Sequence, residues 1–435
     1  MGKHKKAHRT YPDGGKRHKK GKVPRCQNTA ANEMIDRQNA KPHRLVTAES
    51  VRAGHPDKIC DQIADSILDA HLQQDRNARV AVEVMATDGK IVIAGEISSV
   101  AQVNYQKIVY EQLSRIGCGY GDLTSNRAVP FEIDIRIHEQ SPDINGAVSH
   151  EPVYDVGSAV SLADTLGAGD QGIMVGYATD ETGEMLPLPV VLAHGICEML
   201  DAAMAEETWL CADGKAQVTV LYRGDTPVAV TDIVVSVQHL PGKDSQQIED
   251  FIRSDILTKV IPERYWSDKT RVHVNPSGRF VKGGPVADTG LTGRKLAVDA
   301  YGPAAHLGGG AMSGKDPTKV DRTGAYAARW VAKNIVAAGL ASCCEVQIAY
   351  AIGMTDPISV SVETFGTGKV PADVLTRAVQ RVFDLRPGAL IETLRLRETH
   401  YAPLAVYGHF GRGEMLYAWE RVDRVEELLA AVKGS

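Results

Sequence analysis

The sequence predicts an α+β fold in which helices alternate with antiparallel β-hairpins. Apolar residues recur every three to four positions in some segments and alternate with polar residues in others. Several alternating segments are joined by short turns such as Asp88-Gly89, which is typical of hairpins rather than of a doubly wound parallel sheet. Helices and hairpins recur in three stretches of similar make-up, and 435 residues are enough for two to three compact units.

The first stretch starts at Arg44, where the sequence becomes regular. Ile59 and Ile63 recur at helical spacing, so an amphipathic helix with a proline in its first turn is predicted over 56–74. The segments that follow are predicted to be a β-hairpin over 80–86 and 90–98, a helix near 102–116 and a strand over 132–138.

The second and third stretches are assigned by the same periodicities. Their predicted strands are 172–178, 216–222, 228–238, 345–352 and 358–365, and their predicted helices lie near 189–206, 246–259, 321–338, 372–383 and 424–433. The expected domain boundaries are 44–146, 147–272 and 273–435, with the domains interleaved.

Composition excludes several classes of protein. No run of 18 apolar residues exists, which argues against a transmembrane helix, and no apolar stretch follows the basic N-terminus, which argues against a secretory signal. The seven cysteines are scattered and never spaced C-x-x-C, so reduced thiols in a cytoplasmic protein are expected.

The charge is distributed unevenly along the chain. Residues 1–25 carry ten Lys and Arg against one acid, whereas the remaining 410 residues have a net charge of −14. An acidic body is not that of a nucleic-acid-binding protein. Residues 1–43 are interpreted as a basic, disordered extension. It could contact RNA, a membrane or a polyanion, be functionless, or reflect a true start at Met34.

The densest chemical signal is the glycine-rich segment GGGAMSGKDPTKVD at 308–321. Gly309, Gly314 and Lys315 fit the spacing G-x-x-x-x-G-K, in which backbone N–H groups cradle a phosphate. Asp316, however, stands where a P-loop has Ser or Thr for Mg²⁺. The run could be a plain turn, but two lysines and two acids within it favour polyphosphate binding.

A second signal is GHPDK at 54–58, at the start of the first predicted helix. A helix N-terminus favours anions through its dipole and its free N–H groups. Asp57 and Asp321 would suit a Mg²⁺–nucleotide complex if they converge, because Mg²⁺ prefers carboxylates together with phosphate oxygens. Asp57 could equally complement the helix dipole alone, and His55 could be a helix cap.

Weaker signals each have an ordinary structural explanation as well. GAGDQG at 167–172 holds Asp170 in a glycine turn, and HEQSPDI at 138–144 is a polar loop. Glu83 and Glu96 lie on apolar strands, where a charge must be exposed, paired or liganded. Side chains that could meet phosphates or stack on a base lie within 275–295: Arg279, Phe280, Arg294 and Lys295.

Together these motifs resemble the S-adenosylmethionine synthetase family, or methionine adenosyltransferases. The shared motifs, in the family's order, are GHPDK (54–58), GEI (95–97), QSPDIN (140–145), GAGDQG (167–172), GRF (278–280), GLTGRK (290–295), GGGAMSGKD (308–316) and KVDR (319–322). The resemblance covers about 44–415, and Asp316 belongs to the family's pattern. It implies three similar α+β domains, with mixed and mostly antiparallel sheets, about a pseudo-threefold axis.

The resemblance also implies a reaction. The sulfur of L-methionine attacks C5′ of ATP in line and expels triphosphate, which is then cleaved to phosphate and diphosphate. The thioether is itself the nucleophile, so the protein has to supply positioning and charge stabilisation. Two Mg²⁺ and a K⁺ per site are implied, as is a homodimer with active sites at its interface, or a homotetramer. Neither a membrane nor a nucleic-acid partner is expected.

By position, the resemblance implies roles for individual residues. The catalytic positions are His55, beside the leaving O5′, and Arg294, Lys315 and Lys319. The ATP-binding positions are His55, Asp213, Lys215, Arg279, Phe280, Asp288, Arg294, Lys295, Ala311 and Lys315. The methionine-binding positions are Glu96, Gln140, Asp170, Asp288 and Lys319. Asp57 and Asp321 match Mg²⁺ ligands and Glu83 the K⁺ site, and QSPDIN would open a mobile gating loop.

Three departures from the family pattern are present. Met312 replaces the usual Phe, and YGPAAHL at 301–307 replaces the common Tyr-Gly-Gly-Met-Ala-Arg-His, which removes a positive charge near the phosphates. The loop after QSPDIN looks one residue shorter. These changes leave open a weakly active regulatory paralogue or an enzyme for a methionine analogue. A generic P-loop ATPase is disfavoured by Asp316 and by the antiparallel strand pattern.

Overall fold

Three β-sheets packed against helices make up the α+β fold. The computed structural model describes residues 43–117, 131–139, 161–412 and 417–434. The expected basic extension over 1–43 therefore lies outside the described residues, apart from His43. No helix in the described ranges has the length and apolar character needed to cross a membrane.

Eleven strands lie in these ranges. In chain order they are β1 His43–Val51, β2 Arg79–Thr87, β3 Lys90–Ser98, β4 Glu132–His138, β5 Gly172–Thr179, β6 Leu210–Arg223, β7 Thr226–His239, β8 Arg271–Val274, β9 Gly290–Leu291, β10 Cys343–Tyr350 and β11 Ser359–Glu363. The sheet orders are β1-β6-β7-β8 (sheet I), β11-β10-β5 (sheet II) and β4-β3-β2-β9 (sheet III). The β3–β4 and β7–β8 pairs are parallel and the other pairs antiparallel.

The helices cover these sheets. In chain order they are α1 Pro56–Gln74, α2 Tyr105–Ile116, α3 Leu162–Thr165, α4 Leu188–Ala203, α5 Ser245–Phe251, α6 Leu296–Asp299, α7 Val320–Ala337, α8 Ala372–Val382, α9 Pro387–Thr393 and α10 Val425–Lys433. A π-helical stretch and one further turn extend α5 to Val260. α1 packs on sheet III, α4 on sheet I and α7 on sheet II.

Strand pairing joins distant parts of the chain. β1 pairs with β6 over nine positions, from His43 opposite Arg223 to Val51 opposite Lys215. β5 pairs with β10, and β9 pairs with β2. Each sheet therefore contains strands from more than one of the expected domains, whose linear boundaries remain predictions.

The predicted elements are largely confirmed, and one expectation about their burial is wrong. α1 and β4 have the predicted bounds, and the alternation in β2 buries Val80, Val82 and Val84 while Glu83 is exposed. α1 is not amphipathic in the usual sense, because it is buried on all sides over 56–68. Other segments of the chain pack on its charged face as well as on its apolar face.

Candidate active site

The first cluster of charged residues forms where the GHPDK segment enters α1. His55 is the N-cap residue, and its Nδ1 accepts a hydrogen bond from the backbone N–H of Asp57 at 3.2 Å. Burial, together with the charges of Lys295 and Lys215, lowers the pKa of His55 to about 3. The imidazole is therefore neutral, and because Nδ1 accepts, its proton lies on Nε2, which can donate to a ligand.

Asp57 joins α1 to the GLTGRK segment. Its Oδ1 accepts the N–H of Leu291 at 3.0 Å, and its Oδ2 accepts a hydrogen bond from the ammonium of Lys295. Nη1 of Arg294 lies 3.5 Å from Oδ1. Burial opposes ionisation, but the bonds from Lys295 and Leu291 hold the pKa of this carboxyl below its usual range. Two sequence motifs predicted to bind ATP are thus brought into contact.

Sequence analysis did not identify a cluster of buried charged residues behind this site. Lys58 donates to Asp61 at 3.0 Å and to Asp299, and all three side chains are buried. Oδ1 of Asp61 accepts the N–H of Gly293 at 2.8 Å. Burial raises the pKa of Asp299 to about 7, against the opposing charge of Lys58. The cluster holds the GLTGRK segment against α1, and the i,i+3 spacing of Lys58 and Asp61 was the available signal.

The second cluster lies in the glycine-rich segment at the start of α7. Nζ of Lys315 donates to Oδ2 of Asp321 at 2.6 Å, and both side chains are about one-fifth exposed. Asp321 lies in the first turn of α7, where the helix dipole favours a negative charge. Gly310 packs directly on the Asp321 carboxyl group. A lysine, a carboxylate and a glycine backbone therefore face the same space.

Asp316 has a structural role that explains why it can replace the Ser or Thr of a P-loop. Its side chain is fully buried, and its carboxylate accepts the N–H of Val80 at 2.7 Å and that of Thr318 at 2.9 Å. Lys319 also donates to it. Burial opposes ionisation, but Lys319 and Thr318 hold the pKa of Asp316 below its usual range. Asp316 thus ties the glycine-rich segment to β2.

Strand β2 connects the two clusters. The N–H of Val82 donates to the carbonyl of Gly314 at 3.0 Å, and the N–H of Val84 donates to Oγ1 of Thr292 at 2.7 Å. Glu83 lies between these two attachments, with its side chain exposed. The predicted K⁺ residue is therefore placed between the GLTGRK segment and the glycine-rich segment.

Ala311 and the GAGDQG turn lie beside the same segments. A Cβ on Gly293 would overlap the side chain of Ala311, so the two loops touch. A Cβ on Gly169 would lie 3.0 Å from the carbonyl oxygen of Thr318. Asp170 is exposed, with its Oδ1 accepting the N–H of the following glutamine at 2.7 Å.

The remaining nucleotide positions lie on or near sheet I. Asp213, on β6, is buried and accepts the N–H of Gly284 at 2.8 Å, and burial raises its pKa. Lys215 and Arg279 have exposed side chains. The N–H of Phe280 donates to a histidine on β7 at 3.2 Å, and its ring is half-buried.

Two predicted methionine positions, Glu96 and Asp288, make their described polar contacts outside these clusters. Glu96 lies 3.3 Å from Nε2 of His138 at the β3–β4 edge. Asp288 is exposed, and its N–H donates to the carbonyl of Gly284 at 3.1 Å. Gln140 and the predicted gating loop lie outside the described residues.

In the divergent turn at 301–307, His306 and Leu307 stand where the family commonly has Arg-His. Tyr301 is buried and stacks on Phe410 with ring centroids 4.8 Å apart. The side chain of His306 is exposed but bonds to Glu345 beneath it, and Leu307 is exposed. Sequence reasoning missed Glu345, since nothing local distinguishes it from any other acid on a strand.

The carboxylates of Asp57 and Asp321 fit a metal ion whose remaining ligands come from the substrate. No group of three or more His, Cys, Asp or Glu side chains able to hold a metal exists among the described residues. Asp57 and Asp321 each have a lysine partner instead. Mg²⁺ commonly uses one or two carboxylates and takes its other ligands from phosphates and water, so this donor set fits such an ion.

Comparison with known proteins agrees with this geometry. Residues 43–142, 165–280 and 282–421 match, respectively, the N-terminal, central and C-terminal domains of S-adenosylmethionine synthetase. A curated S-adenosylmethionine synthase of Corynebacterium kroppenstedtii is 49% identical over 396 residues, which cover 89% of this chain and 99% of the relative. The three domains in order and a relative matched over nearly its whole length place the chain in the S-adenosylmethionine synthetase family.

Proposed function

We propose that this protein is a methionine adenosyltransferase that converts ATP, L-methionine and water to S-adenosyl-L-methionine, phosphate and diphosphate. The observation that carries the proposal is that Lys295 and Lys315, on the two loops attached to β2, pair with Asp57 and Asp321 in the first turns of α1 and α7. When a triphosphate with its metal ions binds, its phosphate oxygens can replace the carboxylates as partners of the lysines, and the metal ions can replace the lysines as partners of the carboxylates. The two pairs therefore suit a triphosphate.

In the first step the methionine sulfur forms a bond to C5′ while the bond from C5′ to O5′ breaks. The negative charge of the transition state develops on O5′ and the triphosphate. The Nε2–H of neutral His55 would donate to O5′, and Arg294 and Lys315 would stabilise the phosphate oxygens. Because these groups are held in place before the reaction, little reorganisation accompanies it.

In the second step water cleaves the triphosphate while it is still bound. The same cationic side chains would hold the phosphates. Lys295 and Lys319, whose ammonium groups bond to Asp57 and Asp316, would assist them. The loss of a positive charge in the divergent 301–307 turn bears on this step more than on the first.

The cations belong to the proposal. Asp57 and Asp321 would hold Mg²⁺, two per site, and the exposed carboxylate of Glu83 would hold K⁺. When bound, these ions neutralise phosphate charge and orient the triphosphate. Among the residues of the chain, Lys295 and Leu291 keep the Asp57 carboxyl ionised by holding its pKa below the usual range.

Substrate positions follow the same assignment. The adenosine and phosphates of ATP would contact Asp213, Lys215, Arg279, Phe280, Asp288 and Ala311, in addition to the groups above. Methionine would contact Glu96, Gln140, Asp170, Asp288 and Lys319. The loop that starts near Gln140 would close over both substrates.

A homodimer with the sites at its interface, or a homotetramer, completes the proposal. Four apolar side chains beside the GAGDQG turn are about half exposed: Ile173, Ile352, Met354 and Ile358. Ile173 lies opposite Ala349 on β10, and the N–H of Ile358 donates to the carbonyl of Ala349 at 2.8 Å. Ile352 and Met354 follow β10, where their backbones contact Ala168 of the turn. Such a patch is typical of a protein interface. A cytoplasmic location remains the expectation from cysteine usage.

The test is a product assay with ATP, L-methionine, Mg²⁺ and K⁺ in which S-adenosylmethionine, phosphate and diphosphate are quantified together. Equal amounts of all three are expected. S-adenosylmethionine with intact triphosphate would place a defect in the second step, at the altered turn. A folded protein that binds ATP and forms no product, with methionine or with its analogues, would overturn the proposal in favour of a regulatory subunit.

A further inference from the structure

A buried carboxylate lies beneath the turn that leads into the glycine-rich segment. Glu345, on β10, is 1% exposed. Its Oε2 accepts the backbone N–H of His306 at 2.8 Å, and its Oε1 accepts the Nδ1–H of the same residue at 2.9 Å. Nε2 of Gln347 also donates to Oε1, at 2.7 Å. Glu345 therefore holds one residue of the turn by both its backbone and its side chain.

The turn is fixed at a second point before it reaches the active site. The N–H of Gly309 donates to the carbonyl of Ile173 on β5 at 3.1 Å. Gly310, the next residue, packs on the carboxyl group of Asp321. The distance along the chain from His306 to Gly310 is only four residues, so a shift of the first anchor moves the backbone that faces Asp321.

The charge on Glu345 is maintained by these bonds. Burial opposes ionisation, but hydrogen bonds from Gln347 and His306 hold the pKa of the carboxyl below its usual range. On the neighbouring strands, Glu363 of β11 and Tyr177 of β5 lie opposite Glu345. Burial raises the pKa of Tyr177, so it stays neutral. Glu363 is exposed, and its carboxylate accepts the N–H of Phe365 at 2.6 Å.

We propose that Glu345 is a positioning residue for the nucleotide site and that it acts through its partner His306. The inference rests on the proposed function and adds a positioning element to it. The two hydrogen bonds between Glu345 and His306 fix the start of the short segment that ends at Gly310, beside Asp321.

The test compares wild type with His306→Leu and His306→Arg in steady-state kinetics at pH 7.5. His306 is exposed, so neither substitution disturbs the core. For His306→Leu, which removes the side-chain bond to Glu345, we expect a KM for ATP about 10-fold above wild type. For His306→Arg, which keeps a donor for the carboxylate, we expect a KM for ATP within about 2-fold of wild type.

A KM-against-kcat split separates positioning from catalysis. The KM for methionine and the kcat should change less than about 3-fold, because neither variant removes a group assigned to the chemistry. Glu345→Gln should likewise raise the KM for ATP, and combining it with His306→Leu should add little further, since both changes remove the same contact.

His400 offers a matched control. It is exposed, its Nδ1 lies 2.6 Å from Oδ2 of Asp69, and that carboxylate also accepts two backbone N–H groups at 2.8 Å, but no residue assigned to the site is involved. His400→Leu should leave the KM for ATP at the wild-type value.

Equal KM values for ATP in wild type and His306→Leu would overturn this inference, as would an equal effect from His400→Leu. In either case an active wild type would leave the proposed function standing. An inactive wild type would contradict the proposed function instead, so the two failures are distinguishable.

Discussion

The Cα of Gly310 lies so close to the carboxyl group of Asp321 that a Cβ built on the glycine would overlap Cγ and both carboxylate oxygens. The backbone of Gly310 has no positive φ, so space rather than conformation requires glycine here. This contact sets the position of the proposed Mg²⁺ ligand relative to the glycine-rich segment.

Gly310→Ala should therefore displace Asp321 and impair both folding stability and turnover. We expect a loss of about 1–3 kcal/mol in the free energy of unfolding, as for other overpacked sites, and at least a 10-fold drop in kcat/KM for ATP. Gly309→Ala is the control, because no atom lies within 4 Å of a Cβ on that residue. Urea unfolding of both variants checks the difference, and equal stability would contradict the steric argument.

Lys315→Ala should reduce kcat by at least about 100-fold, because it removes a charge that stabilises the leaving triphosphate. Its ion pair with Asp321 is partly exposed, so the loss of stability should stay near or below about 1 kcal/mol. Single-turnover kinetics and urea unfolding measure the two quantities. A kcat near the wild-type value would remove Lys315 from the catalytic assignment.

Asp321→Asn should raise the Mg²⁺ concentration needed for half-maximal activity by about 10-fold or more, because an amide is a weaker ligand than a carboxylate. Asp373→Asn is the matched control, since Asp373 also lies in the first turn of a helix and pairs with an arginine at 2.8 Å. A Mg²⁺ titration at saturating substrate is the measurement. Identical titrations for both variants would argue against a ligand at Asp321.

Stability should fall as the pH drops from about 6.5 towards 3. Burial, with the charges of Arg412 and Lys58, lowers the pKa of His194 to about 3, so only the unfolded chain takes up a proton in that window. This single residue should contribute about 1 kcal/mol of destabilisation at pH 5.5. Urea unfolding at pH 7.5 and 5.5 should show a smaller pH effect for His194→Gln than for wild type, and an unchanged effect for the exposed His273→Gln.

Removal of residues 1–42 should leave kcat and both KM values within about 2-fold of wild type, because His55 is the first of the proposed site residues along the chain. Removal of residues 1–51 should abolish folding, since it deletes β1 and its nine pairs with β6. Activity and circular dichroism of the two truncations check this. A large loss in the shorter truncation would assign a function to the basic extension.

Local patterns in the sequence were sufficient for most elements of the fold. The alternation of β2 reports burial directly, because side-chain spacing follows backbone geometry. The period of α1 predicted the helix but not its burial on all sides over 56–68. The seven-residue helix Pro387–Thr393 was not predicted, since it contains too few turns to show a period. The family motifs also named most of the candidate site, because the glycines and lysines of these loops stand at fixed spacings in the sequence.

The sequence alone determined the fold class, the order of the elements and the identity of the charged residues. Tertiary structure alone decided which charges meet. Asp57 pairs with Lys295, 238 residues away, and Glu345 holds a turn 39 residues before it. No local period encodes such partners, because a buried charge is satisfied by whichever oppositely charged or hydrogen-bonding group the strand pairing brings to it. That pairing places the two lysine-bearing loops along the edge of β2 opposite β3.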